Sequence, residues 1–200
     1  MGWKRKIVVG LGLAVLLWTT SALGADDPKG LVVKRYAQIE TIISGEGTED
    51  EMREQIKVLM EEFVDYRELS RLTVKTVWEE LKSKEQAEFI SLFKQLIQHN
   101  YAKRFKKDSE LTVTYEGEGE IRKGKARLAT TVESGDVTAD VEYRMHKPEG
   151  KDVWWVYDIV IDEVSMMRNY RTQFRKTIKK SGVKGLFKQL RENVAERNKK

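Results

Sequence analysis

The stretch VWWVYDIVIDEVSMMRNYRTQF, residues 153–174, decides the fold because a strand that is apolar on both faces runs directly into an amphipathic segment. Residues at every second position are expected on one face of this strand: Trp155, Tyr157, Ile159 and Ile161. The other face is expected to present Trp154, Val156 and Val160. A strand with one solvated side needs only one apolar face, so this strand must be covered on both sides. A second layer of protein or a bound apolar ligand would supply the second cover, and we expect both.

After Ser165 the apolar residues recur at helical spacing, through Met167, Tyr170, Phe174 and Ile178. Ser181-Gly182 interrupts this pattern, and a last amphipathic helix is predicted after it. The opposite side of the first of these helices has cations at every third or fourth position: Arg168, Arg171, Arg175 and Lys179. Such a stripe is either the solvated face of a core-packed helix or a contact surface for phosphate head groups or an acidic partner.

The rest of the chain shows two kinds of periodicity. Helical spacing dominates about residues 28–108, where the first two helices have single apolar stripes: Val32, Tyr36, Ile39 and Ile43, then Met52, Ile56, Leu59 and Phe63. Alternation dominates about residues 110–162, where turn residues separate four runs. C-terminal helices are predicted over about 165–197. Four strands joined by short turns form an antiparallel meander, so the predicted fold class is α+β, with helices segregated from one curved four-stranded sheet.

Residues 1–25 are expected to be a cleaved signal peptide. Residues 4–6 are basic, an apolar run extends to Trp18, and Ala22-Leu23-Gly24 supplies the small residues of a cleavage site. The apolar run is shorter than the roughly 20 residues that a membrane-spanning helix needs. We therefore expect an exported protein that consists of residues 26–200.

Residues that could support catalysis are scarce. The chain has no Cys and only two His, His99 and His146, so neither thiol catalysis nor a histidine-based metal site is expected. Asp158 is either a proton-transferring base in an apolar cavity or the partner of an arginine, and we favour the ion pair because no second catalytic group accompanies it. The formal charge of +5 falls to about +2 without the basic leader, which argues against nucleic acid as a partner.

Three blocks of this sequence resemble the MlaC family, also called the toluene-tolerance auxiliary family. The first is residues 63–78, from FVDY to the tryptophan, and the second is residues 88–101, from EFISLFKQL to the tyrosine. The third is residues 157–174, where YDIVIDEVS is followed by NYRTQF. The resemblance extends over nearly all of the chain after the leader.

The sequence departs from the family pattern in two places. The Leu-Gly pair that usually precedes the tryptophan is replaced around KTVW, residues 75–78, and Asp162-Glu163-Val164 stands where a glycine commonly precedes the valine. Both departures are local changes of helix or turn. They leave room for a different lipid cargo, since related carriers of hopanoids share the architecture.

The resemblance implies a nuclear-transport-factor-2-like sheet merged with a helical subdomain in a single domain, residues 26–200, around a deep apolar cavity for lipid tails. The residues then expected to bind lipid are apolar positions of the helices and the sheet: Phe89, Phe93, Leu96, Val141, Tyr143, Trp155, Tyr157, Ile159, Val164, Met167, Tyr170 and Phe174. Each is also a candidate for ordinary core, because apolar periodicity does not distinguish core from cavity wall. Arg168, Arg171 and Arg175 are expected to contact a head group or a partner.

The function that the resemblance implies is that of a monomeric periplasmic carrier. It would exchange phospholipid between an inner-membrane Mla ABC transporter complex and an outer-membrane lipoprotein complex, with the phospholipid as cargo and with no cofactor, metal or catalytic residue. A small enzyme that uses Asp158 as its base is the alternative from another class. A third hypothesis is an interaction module that docks acidic partners through its arginine stripe.

Overall fold

The structure, a computed structural model, describes residues 27–197, and the predicted signal peptide lies outside them. Four helices come first: α1 (Pro28–Ile43), α2 (Glu49–Glu61), α3 (Tyr66–Thr73) and, after a 3-10 turn at Trp78–Glu80, α4 (Ser83–Ala102). Five strands follow: β1 (Leu111–Arg122), β2 (Lys125–Ser134), β3 (Val137–His146), β4 (Trp155–Ile161) and β5 (Val164–Ser165). The described chain ends in α5 (Met166–Arg197).

Side-chain caps fix where the first three helices begin. Asp27, Thr48 and Asp65 each accept a hydrogen bond from a backbone amide in the first turn of α1, α2 and α3 respectively. These amides have no partner within the helix, so a cap stabilises the helix by about 1 kcal/mol. The fixed starts place the apolar stripes of α1 and α2 where they pack against the core.

The sheet is an antiparallel meander in the order β1-β2-β3-β4-β5. The predicted α+β class is confirmed. The predicted strand count was one too low, because β5 is a two-residue strand that periodicity does not detect. It pairs with β4 through a tight turn at Asp162 and Glu163, which both have positive φ, 46° and 67°.

A β-bulge at Tyr157 corrects the predicted alternation of β4. Arg144 pairs with Asp158 and Met145 pairs with Val156, so Tyr157 is an extra residue on β4. An extra residue places every residue before it on the opposite face of the sheet from the one that regular alternation predicts. Val156 therefore lies on the same side of the sheet as Ile159 and Ile161, whereas Trp155 lies on the other side. The prediction of one continuous face with Trp155, Tyr157, Ile159 and Ile161 was wrong.

Segment 63–65 joins the helices to the sheet. The Val156 amide donates to the carbonyl oxygen of Phe63 at 2.8 Å, and the Asp65 amide donates to the carbonyl oxygen of Val156 at 2.8 Å. These two bonds pair the start of β4 with the chain between α2 and α3. Apolar residues from the helices and the sheet consequently form one connected core.

Helix α5 packs on α4 through aromatic rings. Phe93 lies between Tyr170 and Phe174, with ring-centre distances of 5.0 and 5.2 Å, and it is fully buried. The predicted break between two C-terminal helices is confirmed: Gly182 has the non-helical angles φ 68° and ψ −179°, so α5 consists of two helical halves that meet at this residue, in a conformation that residues with a side chain rarely adopt. Within residues 27–197, no helix has both the length and the apolar character needed to cross a bilayer.

Candidate functional site

A cavity of about 210 Å³ lies between the helical part and one face of the sheet. Its walls come from α1, α2, the end of α4 and strands β1 to β4. The lining residues are Leu31, Val32, Arg35, Tyr36, Ile39, Ile56, Leu59, Met60, Phe63, Tyr101, Arg104, Phe105, Leu111, Val132, Ser134, Val137, Ala139, Val141, Tyr143, Val156, Ile159 and Ile161. Of these 22 residues, only Arg35, Arg104 and Ser134 have side chains that are neither apolar nor aromatic.

The apolar wall determines which ligands the cavity can hold. None of the lining residues, all within the described part of the chain, is a carboxylate. A polar ligand would lose its hydrogen bonds to water here and find few replacements, which costs several kcal/mol. A hydrocarbon chain has no hydrogen bonds to water to lose, and its transfer out of water is favourable. The cavity is therefore suited to an apolar ligand.

Two tyrosines cross the cavity from opposite walls. The hydroxyl groups of Tyr36 on α1 and Tyr143 on β3 are 2.5 Å apart, and both side chains are buried. Burial raises the pKa of Tyr36 to about 12 and that of Tyr143 well above its usual value. Both phenols are therefore neutral at physiological pH, and their hydrogen bond satisfies two polar groups that would otherwise be exposed to an apolar surrounding.

Two arginines supply the charges of the cavity wall. The Arg35 side chain, 12% exposed, pairs with Glu62 at 2.6 Å and lies over the ring of Phe63 at 5.6 Å. Arg104 is exposed and lies over the ring of Tyr101 at 5.1 Å. Within residues 27–197, no carboxylate lies within ion-pair distance of Arg104. Its guanidinium is thus available to an anionic group of a ligand.

The cavity reaches the surface beside the β2–β3 turn. Val137 lines the cavity and is also 66% exposed, and Arg104, another lining residue, is exposed as well. Ser134, at the end of β2, completes this side. An apolar chain inside the cavity can therefore leave a polar group near Arg104 in contact with water.

The structure separates the residues that we expected to bind lipid into three groups. Val141, Tyr143 and Ile159 line the cavity. Six others belong to the core between α4, α5 and the sheet: Phe89, Phe93, Leu96, Met167, Tyr170 and Phe174. The last three lie outside the cavity wall: Trp155 and the bulge residue Tyr157 are half-buried, and Val164 is 59% exposed. The cation of Lys151 covers the ring of Trp155 at 4.5 Å, and that of Lys125 covers Tyr157 at 5.4 Å.

Sequence reasoning missed the wall that α1 and α2 provide. Their stripes were recognised, and Tyr36, Ile39, Ile56 and Leu59 are members of them, but nothing in the sequence showed that these stripes face an open space. The position of Arg104 just after the last apolar residue of α4 was the available sign of a cavity edge. Cations are common at the C-terminal ends of helices, so the position of Arg104 alone does not indicate a cavity.

The three predicted contact arginines have different environments. Arg171 Nε donates to the carbonyl oxygen of Leu72 at 2.8 Å, and Nη2 approaches the sulfur of Met167 at 2.9 Å. This side chain therefore fastens α5 to the end of α3. Arg168 and Arg175 are exposed.

Asp158 is fully buried outside the cavity wall, with three hydrogen-bond donors around its carboxylate. They are Arg144 Nη1 at 3.2 Å, Ser165 Oγ at 2.6 Å and the Met167 amide at 2.9 Å. The structure thus shows the predicted arginine pair. His146 pairs with Asp65 at 2.9 Å, and the described residues contain no group of three or more His, Asp or Glu placed to hold a metal ion.

Comparisons with known proteins place these features in a family. The family model described as MlaC protein matches residues 36–192. None of the curated proteins matches the chain. Among solved structures, the phospholipid-binding protein from Ralstonia solanacearum in complex with a phospholipid is similar in fold, with a TM-score of 0.75 and 22% identity over 86% of this chain and 99% of that chain. Because the family match spans most of the sequence, this protein belongs to the MlaC family.

Proposed function

We propose that this protein is a periplasmic carrier that binds the acyl tails of a phospholipid in the cavity between α1, α2 and the sheet. The observation that supports this most directly is an apolar space that the protein's own side chains leave open. The structurally similar Ralstonia protein holds a phospholipid. No step of carriage requires a catalytic group.

The free energy of hydrocarbon transfer explains why a carrier needs such a cavity. Each methylene group that leaves water contributes about 0.8 kcal/mol, so a long acyl tail exposed to water costs on the order of 10 kcal/mol. When the cavity wall is as apolar as the bilayer interior, the free energy of moving a tail between bilayer and cavity is close to zero. Direction must then come from the partners, which we propose to be an inner-membrane ABC transporter complex and an outer-membrane lipoprotein complex.

The charges at the cavity edge fit a phosphate head group. Arg35 and Arg104 are the charged residues of the wall, and Arg104 has no carboxylate partner among the described residues. A phosphate next to Arg104 would remain partly hydrated, since this residue is exposed. Recognition by charge alone would accept several kinds of head group.

The cavity must widen when tails enter. Its volume of about 210 Å³ is below the roughly 300–1,000 Å³ of typical ligand pockets. Helices α1 and α2 form the wall opposite the sheet, so we propose that they move outward on loading. The Tyr36–Tyr143 hydrogen bond spans the two walls and would be the polar contact that this movement breaks.

Native mass spectrometry of protein purified from the periplasm of a Gram-negative host tests the proposal. We expect a bound mass that organic solvent removes and that fragments as a phospholipid. A bound hopanoid would keep the carrier function and change the cargo. Protein that is free of lipid when isolated and takes up none from vesicles would overturn the proposal.

A further inference from the structure

Helix α5 has an unbalanced positive charge. Residues 164–191 contain nine Lys and Arg and neither Asp nor Glu. The whole chain has a formal charge of +5 and this segment alone has +9, so all other residues together have a net charge of −4. The positive charge is therefore concentrated in α5, on both sides of the break at Gly182.

Most of these cations have no internal counter-charge. Eight are exposed, and seven of these form what we call the basic face: Arg168, Arg175, Lys176, Lys179, Lys180, Lys184 and Lys188. Within residues 27–197, only Lys188 of the basic face has a carboxylate within 4 Å, that of Glu192 at 3.9 Å. The other two cations of the segment have partners, since Arg171 donates to Leu72 and Arg191 pairs with Glu88 at 2.6 Å.

The other side of α5 is occupied by the core. Tyr170, Phe174, Phe187 and Leu190 are all buried against the rest of the protein. An amphipathic helix inserts into a bilayer through its apolar side, and in α5 that side is not available. Any partner of the basic face must therefore bind by electrostatic attraction at the surface.

We propose that the basic face binds the surface of bilayers that contain anionic phospholipids. Five of its seven residues are lysines, which are flexible point charges without the planar fork by which arginine pairs with a fixed carboxylate. A mobile array of phosphates accepts such charges without defined geometry. Four to eight basic residues on an amphipathic helix are typical of anionic-lipid binding, and each contributes about a fivefold gain in partitioning.

The basic face and the cavity belong to different elements. None of the residues that line the cavity comes from α5. Membrane attachment and cargo binding can therefore be altered separately, and the inference does not depend on the nature of the cargo. Attachment would bring the protein to the membrane from which an apolar ligand is obtained.

Co-sedimentation with vesicles tests this inference. The probes are vesicles of phosphatidylglycerol mixed with phosphatidylcholine, and vesicles of phosphatidylcholine alone. We expect binding to the anionic vesicles at about 0.1 M salt and release at about 1 M, where the Debye length falls from about 10 to 3 Å. The triple variant Lys176→Gln, Lys180→Gln, Lys184→Gln should lower the partition coefficient by about 100-fold. Glutamine has nearly the helix propensity of lysine, so α5 should persist, which circular dichroism would verify.

The matched control removes three charges elsewhere, with Lys34→Gln, Lys106→Gln and Lys123→Gln at exposed positions of α1, the α4–β1 loop and the β1–β2 turn. This control variant should retain vesicle binding to within about threefold, because salt screens the attraction between the membrane and charges that lie far from the contact. Equal losses in both triple variants, or no binding of the unchanged protein to anionic vesicles, would overturn the proposal. In the second case an acidic protein surface becomes the partner to test. Co-purified lipid, measured on the same samples, reports separately on the carrier function.

Discussion

Arg144 and Asp158 form an ion pair on the side of the sheet that faces away from the cavity. Their Nη1 and Oδ2 atoms are 3.2 Å apart, and the Asp158 side chain is fully buried while that of Arg144 is 15% exposed. The second carboxylate oxygen of Asp158 accepts from the Met167 amide at the start of α5. The pair therefore links strands β3 and β4 to the first turn of α5.

Replacing Asp158 by alanine should lower the free energy of unfolding by about 3–5 kcal/mol. The change removes one of two carboxylates beside Arg144, which keeps Glu142 at 2.7 Å, and it leaves the buried Ser165 hydroxyl and the Met167 amide without their acceptor. Urea unfolding monitored by tryptophan fluorescence measures the effect. Asp136→Ala, in an exposed turn, should change stability by less than about 0.5 kcal/mol.

The same variant separates a structural role from a catalytic one. If Asp158 were the base of an enzyme, its replacement would abolish turnover and leave stability unchanged. An unfolding midpoint that is the same in Asp158→Ala and in the unchanged protein would contradict our interpretation.

Periodicity was sufficient to predict the fold class. The alternating runs along β1 to β4 have period two in a part of the chain rich in turn residues, and the flanking segments have helical spacing, so each local pattern admits only one kind of element. Strand β5 was not predicted, because a strand of two residues shows no periodicity. The bulge at Tyr157 escaped because its residues satisfy the alternation of either face, and only the pairing of Met145 with Val156 reveals it.

The cavity could not be assigned from the same patterns. Phe93 and Ile39 occupy similar positions in apolar stripes, yet Phe93 contacts aromatic rings on α5 whereas Ile39 borders the open space. A stripe indicates that a side chain is buried, and it does not indicate whether protein fills the space beyond it. That depends on how α1 and α2 sit over the sheet, which is set by contacts distant in sequence such as the Phe63–Val156 hydrogen bond.

Stability should decrease at alkaline pH partly through Tyr36. Burial raises the pKa of this phenol to about 12 in the folded protein, whereas it is about 10 in the unfolded chain. Between these pH values the unfolded chain has lost the proton that the folded protein keeps. The free energy of unfolding therefore falls by about 1.4 kcal/mol for each pH unit. Below pH about 10 both states are protonated and the group adds no pH dependence.

Urea unfolding of the Tyr36→Phe variant between pH about 8 and 11 measures this contribution. The variant should be less stable at neutral pH, because Tyr143 loses its partner, by about 1–3 kcal/mol. Above pH about 10 its stability should fall less steeply than that of the unchanged protein. Parallel curves over the whole range would show that Tyr36 ionises normally and that the pair is not closed in solution.

The β4–β5 turn contains a residue in an unfavourable conformation. Glu163 has φ 67°, and this left-handed region costs an L-residue about 1–2 kcal/mol that glycine avoids. The greater conformational freedom of glycine in the unfolded chain offsets part of the stability gained by relieving this strain. Glu163→Gly should therefore raise stability by about 1 kcal/mol and the thermal midpoint by about 2–4 °C, measured by calorimetry.

Asp162 in the same turn is the matched control. Its φ of 46° is also positive, but its carboxylate accepts a hydrogen bond from the Asp140 amide at 3.1 Å. Aspartate also tolerates this region better than glutamate does. Asp162→Gly should therefore give no stabilisation, and an equal gain in both variants would contradict the assignment of strain to Glu163.

Filling the cavity from the sheet side should block lipid binding without unfolding the protein. Ala139 on β3 lines the cavity, and the indole in Ala139→Trp would take the place of at least two methylene groups of a tail. At about 0.8 kcal/mol for each methylene group, affinity should fall about tenfold or more. The measurement is the amount of phospholipid per protein after exposure to vesicles, with circular dichroism as the test of folding. Ala129→Trp, a half-buried position on the opposite side of the sheet, should keep its lipid, and a folded Ala139→Trp protein with full lipid content would place the cargo outside this cavity.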